Sequence, residues 1–94
     1  MFLLYYIRWI GTATELKEYV GRITEVTTKI DGVNYKGIFS PTSEWNFVLL
    51  FEGESYNKVL EVYKTYMMQH GPRPKVLVGK VEVLHEMDEL GFSL

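Results

Sequence analysis

Cysteine is absent from this 94-residue chain. It therefore holds no disulfide, no thiolate nucleophile and no cysteine-bound metal. That absence fits a cytoplasmic protein. A surplus of positive charge is missing as well. Ten Lys and Arg against twelve Asp and Glu leave a formal net charge of −2, which counts against a phosphate backbone as partner. No apolar run is long enough to cross a bilayer. The opening MFLLYYIRWIG is interrupted by Arg8, lacks a basic start and is followed by no small-residue cleavage site, so it reads as a strand rather than a targeting segment. Neither nucleic acid nor membrane is expected as a partner. Repeats, low-complexity tracts and linkers are also absent. Asparagine and glutamine are scarce, a composition that leans toward a hot habitat.

What the chain does have is aromatic weight: seven Tyr, five Phe and two Trp. The length allows one domain, residues 1–94, and not two. A domain of this size buries roughly 60–65 % of the surface of its unfolded chain, so its stability margin is modest. Association with a second copy would add to it.

Phe2 to Trp9 is rich in aromatic and branched residues and reads as a strand that Gly11 ends. Thr12-Ala13-Thr14-Glu15 matches a capping box, in which the Thr12 hydroxyl accepts from the Glu15 N–H and the Glu15 carboxylate reaches back. Apolar residues then recur at three- and four-residue steps from Ala13 to Ile30, predicting a helix over about 13–29. Gly21 lies inside it at a cost of about 1 kcal/mol against Ala, which a close approach of helix to sheet would explain. Asp31-Gly32 stops the helix. Strands are expected at Val33–Phe39 and Trp45–Glu52. Ser55 reads as the N-cap of a second helix over about 56–70, which Gly71-Pro72 ends. A fourth strand runs from about Lys75 to Leu84, and the tail HEMDELGFSL has room for one helical turn. The order β-α-β-β-α-β makes an α+β domain of ferredoxin-like type: a four-stranded antiparallel sheet with both helices on one face.

Strand residues alternate between faces, so the strands sort by parity. Odd positions, among them Tyr5, Trp9, Tyr35, Gly37, Phe39, Trp45, Phe47, Leu77 and Val81, are all apolar, aromatic or Gly. They are assigned to the helix-covered face. Even positions are mixed. Phe2, Leu4, Tyr6, Val48, Leu50 and Val78 form an apolar patch, while Arg8, Lys36, Glu52, Lys80 and Glu82 stand around it. An antiparallel sheet with one wet face should alternate cleanly, and apolar patches of this kind mark interfaces. The simplest cover is a second copy, sheet against sheet, with cross-subunit ion pairs around the apolar centre. The expected interface is Phe2, Leu4, Tyr6, Arg8, Val48, Leu50 and Val78.

Parity also pairs Phe39 with Trp45 and leaves Ser40-Pro41-Thr42-Ser43-Glu44 as a five-residue hairpin loop built around a type I turn. A turn accounts for the whole cluster. The functional alternative makes Ser43 or Glu44 part of a ligand rim, but no His or Lys stands at a spacing that would activate the serine.

The start LLYYIRW, the hairpin YKGIFSPTSEWNFVLLFE and the helix SYNKVLEVYKTYM closed by HGP together resemble small uncharacterised archaeal proteins of the dimeric α/β-barrel superfamily, a ferredoxin-like group. The resemblance implies a homodimer. It extends to cofactor-free monooxygenases, haem-degrading enzymes, muconolactone-type isomerases and ligand-sensing modules, which share a fold and not an activity.

Candidate chemistry is sparse. His70 ends the second helical stripe, where a cap or half-buried role is the ordinary one. HEMDE places His85 beside three carboxylates, but it is not the H-E-x-x-H arrangement and reads as a solvated acidic tail. The candidate pocket between helices and sheet comprises Tyr5, Trp9, Tyr19, Tyr35, Trp45, Tyr63 and His70. Aromatics there usually just fill a core. In an open cleft they would offer hydroxyl and indole donors to a small apolar ligand. RNA recognition on the sheet is disfavoured, because WNFVLLF lacks the basic-Gly-aromatic start of that motif and its aromatics fall on the core face. The resulting expectation is a homodimeric module for small-ligand binding or assembly, with no cofactor and no metal. The alternative is a cofactor-independent monooxygenase- or isomerase-like enzyme with a helix–sheet pocket.

Overall fold

A computed structural model describes residues 1–70 and 76–93, without the side chains of Tyr63, Met67, Gln69, His70 and residues 76–78. The expected helix stop at Gly71-Pro72 and strand start at Lys75 lie outside the described residues. The elements are β1 (Phe2–Trp9), α1 (Ala13–Thr27), β2 (Val33–Phe39), β3 (Phe47–Gly53), α2 (Tyr56–His70), β4 (Val76–Leu84) and a 3-10 turn at Met87–Leu90. The strands form one sheet in the order β2-β3-β1-β4, with every neighbouring pair antiparallel. The two central strands are thus β1 and β3, and each β-α-β half straddles the other. This is the ferredoxin-like arrangement expected from the element order.

Local chemistry sets the boundaries. The Thr12 hydroxyl accepts from the Glu15 N–H at 3.1 Å, and the Glu15 carboxylate accepts from the Thr12 N–H at 3.1 Å. The capping box is therefore complete. Ser55 Oγ accepts from the Lys58 N–H at 3.2 Å and caps α2. Between α1 and β2 the chain turns through Gly32 at φ +85°, a left-handed conformation that suits glycine.

The core lies between the sheet and the helices. Leu3, Tyr5 and Ile7 of β1 and Leu49 and Phe51 of β3 meet Tyr19, Ile23 and Val26 of α1 and Val59, Val62 and Tyr66 of α2. The one buried polar side chain among the described residues, Thr27, donates a hydrogen bond from its hydroxyl to the Ile23 carbonyl at 2.7 Å.

Parity holds through β1 and β3, whose register pairs Leu3 with Phe51, Tyr5 with Leu49 and Ile7 with Phe47. It fails in the first part of β4, where a register shift pairs Leu77 with Arg8 of the open face rather than with a core position, and in the second half of β2. A bulge between Tyr35 and Gly37 pairs Gly37 with Leu50, Ile38 with Leu49 and Phe39 with Val48. An extra residue in one strand reverses every side chain beyond it. Gly37 and Phe39 therefore belong to the open face and Ile38 to the helix side, the reverse of the parity assignment. Gly37 sits at φ +145°, and a Cβ there would lie 3.4 Å from the Phe39 ring, so Phe39 folds back over the glycine.

Two further expectations are corrected. β3 begins at Phe47 rather than Trp45, so Phe39 does not pair with Trp45 and the connection spans residues 40–46. That connection is a series of bends, not a five-residue loop around a hydrogen-bonded turn. Asn46 explains the late start: its N–H donates to the Ile7 carbonyl at 3.1 Å and its side-chain oxygen accepts from the Trp9 N–H at 2.7 Å. Gly21, expected against the sheet, is exposed, and a Cβ there would meet nothing within 4 Å.

Candidate functional site

Two surfaces were candidates: the helix–sheet interior and the open face of the sheet. In the interior, Tyr5 and Tyr19 are buried, at 5 % and 3 % exposure. Trp9 packs on Tyr19 with ring centroids 5.3 Å apart, and Tyr19 meets Tyr66 edge to face at 5.6 Å. The Trp9 indole N–H donates to the Thr12 carbonyl at 3.0 Å. Here the aromatics meet one another and fill the space between the layers, which contributes burial and edge-to-face attraction. Tyr35 stands apart from this group, half-buried against Phe51 at 5.6 Å. Burial pushes its hydroxyl pKa above the ordinary tyrosine value. The side chains of Tyr63 and His70 lie outside the described residues.

Trp45 is not in the interior. Its ring lies 6.4 Å from that of Tyr6, and the Arg8 guanidinium stands 5.6 Å above it. Tyr6 and Arg8 are open-face residues, so Trp45 belongs to the open face. Parity misplaced it because Trp45 precedes the strand, where alternation carries no information.

Rows across the open face follow from the register. One row runs Gly37–Leu50–Leu4–Glu82, and the next runs Phe39–Val48–Tyr6–Lys80. Phe2 lies in the adjoining row between Glu52 and Leu84. Leu4, Leu50, Val48, Tyr6 and Phe2 thus form a continuous apolar centre, and Phe39 and Trp45 extend it on one side. Val48 is buried by these neighbours, whereas Phe39 stays 52 % exposed. The side chain of Val78 lies outside the described residues.

Charges ring this centre, and each has a partner in its own chain. Arg8 donates to the Glu44 carbonyl at 3.1 Å and to its carboxylate at 3.4 Å. Lys36 pairs with Glu52 at 3.6 Å, and Lys80 with Glu82 at 3.7 Å. Lys80 also stands 5.2 Å from the Tyr6 ring. A hydrogen bond from the Tyr6 hydroxyl to Glu82, with lesser help from desolvation, raises the Tyr6 pKa above its usual value. Three cations and three carboxylates leave the ring neutral. Arg8, Lys36, Glu52, Lys80 and Glu82, expected to pair across subunits, pair within the single chain.

Several solved structures resemble this chain in fold. The crystal structure of TTHA0845 from Thermus thermophilus superposes with a TM-score of 0.52 at 13 % identity, over 90 % of this chain and 92 % of that one. That is a likeness of fold. No protein-family model matches the chain, and no curated protein matches it.

Other features of the surface are smaller. A polar recess of about 300 Å³ is lined by Met1, Gly32, Asn34, Glu52, Gly53 and Glu54. An apolar one of about 260 Å³ lies between α1 and β2, at Ala13, Leu16, Lys17, Val20 and Ile38. In the tail, Glu89 accepts from the Met1 amino group at 2.8 Å and lies 3.1 Å from His85 Nδ1. HEMDE therefore acts as a clasp on the chain start. Among the described residues no three His, Asp or Glu side chains converge as metal ligands. Ser43 Oγ accepts from the Trp45 N–H at 3.4 Å, and Glu44 is engaged by Arg8. The bend cluster thus carries structural bonds. Among the described residues no helix is long and apolar enough to cross a membrane.

Proposed function

We propose that this protein is a self-assembling module in which two chains pack their open sheet faces together about a two-fold axis, as in dimeric α/β-barrel proteins. The observation that carries the reading is the apolar centre of Leu4, Leu50, Val48, Tyr6 and Phe2 inside a neutral ring of ion pairs. A face with net charge would repel its own copy. This one does not, because each cation brings its counter-charge with it. Size agrees as well. Four strands about 4.8 Å apart and about seven residues long cover roughly 19 by 23 Å. That is on the order of 450 Å² before side-chain relief, within a factor of two of the ~800 Å² per partner of a standard interface.

The interior favours assembly over an enzymatic pocket. Among the described residues Tyr5, Tyr19, Phe51 and Tyr66 are packed through the helix–sheet space, where an isomerase or oxygenase would need a cavity of about 300 Å³ or more. The absence of cysteine suits a reducing, cytoplasmic setting.

The test is sedimentation equilibrium at micromolar concentration on the wild type and on Leu50→Asp, with circular dichroism to verify folding. Leu50 lies at the middle of the face, and a buried unpaired carboxylate there opposes association. The expected result is a self-associated wild type and a folded variant of half its mass. A monomeric wild type, or a folded variant of unchanged mass, overturns the proposal. Leu4→Asp, the neighbouring position, serves as the second variant.

A further inference from the structure

We infer that β4 is a second self-association surface, pairing antiparallel with the β4 edge of another copy so that Val81 faces Val81 across a two-fold axis. The inference does not depend on the pairing of open faces; it uses the outer margin of the sheet and shares with that face only Lys80 and Glu82 of its charged ring.

A sheet has two edges, and each leaves a row of backbone donors and acceptors without strand partners. On this sheet the two edges differ. β2 is broken in its middle by the bulge at Lys36 and Gly37, a device that twists an edge away from pairing. β4 has its irregularity opposite Tyr6 and Arg8, and from Lys80 to Leu84 it runs in unbroken register with β1. Among the described residues this edge is uncovered. Gly79, Lys80, Val81 and Leu84 are all exposed. Val81 is 42 % exposed although its partner across the strand, Tyr5, is buried in the core. The helix layer therefore stops short of this margin and leaves a branched apolar side chain uncovered.

The side chains on this edge choose the register. With Val81 on the axis, Lys80 of each copy stands opposite Glu82 of the other, on the open-face side. Val83 stands opposite Gly79, which has no side chain to obstruct it. A register centred on residue 80 would place Lys80 against Lys80, and one centred on 82 would place Glu82 against Glu82. Like charges directly opposite destabilise a strand pair and unlike charges stabilise it. A parallel pairing in register sets both like pairs against each other. Only the antiparallel register centred on Val81 satisfies both charges. In the single chain Lys80 and Glu82 are 3.7 Å apart along one strand, half-exposed, and each can exchange this partner for the opposite one. Taken alone, the contact is isologous and closes on a pair of chains.

The absence of cysteine from the chain provides a direct test. Residues facing each other on antiparallel strands have Cα atoms about 4.5 or 5.5 Å apart, within the span a disulfide bridges. Val81→Cys, the sole thiol, should form a covalent dimer under mild oxidation at least tenfold faster than Glu61→Cys, an exposed control on α2. Lys80→Glu and Glu82→Lys should each slow crosslinking of Val81→Cys at least tenfold, because each opposes like charges. Mixing those two variants should restore it, since each chain then faces its complement. Crosslinking of Val81→Cys no faster than the control, or crosslinking indifferent to the charge changes, overturns the inference. Val81→Cys in a Leu50→Asp background separates the two surfaces: the edge crosslink should persist at its original rate. Loss of that crosslink in a folded variant would make the edge contact a by-product of face pairing and overturn its independence.

Discussion

Replacing Gly21 with Ala is the sharpest test of how the helical layer is built. Gly21 lies in the middle of α1, between Val20 and Arg22, with ordinary negative φ. Its position is exposed, and an added Cβ would meet nothing within 4 Å. No steric penalty offsets the gain. The gain itself is the helix propensity difference, about 0.8–1.0 kcal/mol, which arises largely because Ala has less backbone freedom to lose on folding. For a domain near this size 1 kcal/mol raises Tm by about 4–8 °C. With a urea slope of about 2 kcal/mol per molar, the midpoint should rise by about 0.5 M. The assay is paired urea and thermal unfolding at one fixed protein concentration, because association couples stability to concentration. An unchanged or lowered midpoint with an unchanged slope would refute the reasoning. It would mean that something closes on α1 at this point, the explanation that the isolated chain does not supply.

The other predictions come from equally local geometry. Gly53→Ala should do the opposite of Gly21→Ala: its Cβ would lie 2.5 Å from Cγ2 of the fully buried Val59, and overpacking of this kind costs about 1–3 kcal/mol, read as a lower urea midpoint. Thr12→Ala removes the hydroxyl from the capping box and should cost about 1 kcal/mol, while Thr12→Ser should retain most of it. The Glu89 carboxyl is held below its ordinary value of 4.5, first by its hydrogen bond with the Met1 amino group and then by His85. A depressed carboxyl contributes stability that is present above the unfolded value and lost as pH falls through the folded one. The Met1 amino group is raised above 8.0, chiefly by Glu89, so its share is lost as pH rises through that raised value. The clasp should therefore be whole between about pH 4.5 and 8, and NMR titration of Glu89 should show the low value vanish when the Met1 amino group is acetylated.

Most of the fold was legible because its signals are local. Thr12 and Glu15 announced the start of α1, Ser55 that of α2, and the apolar period located both helices. Alternation in β1 and β3 sorted the core correctly because those two strands run without interruption. The errors in sorting strand residues between the faces share one physical origin: parity transmits information only along an unbroken strand. One extra residue at Lys36-Gly37 inverted Gly37, Ile38 and Phe39. The Gly37 that permits the bulge was in view, but a strand glycine by itself does not say which neighbour it displaces. Trp45 was misplaced because Asn46, bonding twice to the β1 backbone, delays the entry to β3. Side chain-to-backbone bonds of this kind have no periodicity to read. The ion pairs were anticipated as residues but not as pairs, since Lys36–Glu52 and Arg8–Glu44 join positions brought together only by the sheet.

Those corrections strengthen the case for the open face rather than weaken it. Moving Gly37, Phe39 and Trp45 across the sheet transfers two large aromatics from an interior already filled by Tyr19, Phe51 and Tyr66 to a surface where Phe39 remains half-exposed. Aromatic side chains on a surface are costly in water and are characteristic of the centres of interfaces. Arg8 stacked over Trp45 and Lys80 over Tyr6 hold two of these rings in place through their cations, so little conformational freedom remains to be lost when a partner arrives. A neutral, aromatic-rich face differs from an ordinary solvated sheet in a property that favours association: rings already held by Arg8 and Lys80 have less side-chain freedom left to lose on docking. Arg8→Ala should expose this. It releases Trp45 and leaves Glu44 uncompensated, so it should weaken self-association measured by sedimentation about tenfold while leaving the urea midpoint of the Leu50→Asp background, whose open faces do not pair, nearly unchanged, since an exposed pair contributes little to folding. An equal loss in both measurements would place Arg8 among the residues that hold the fold and remove it from the interface.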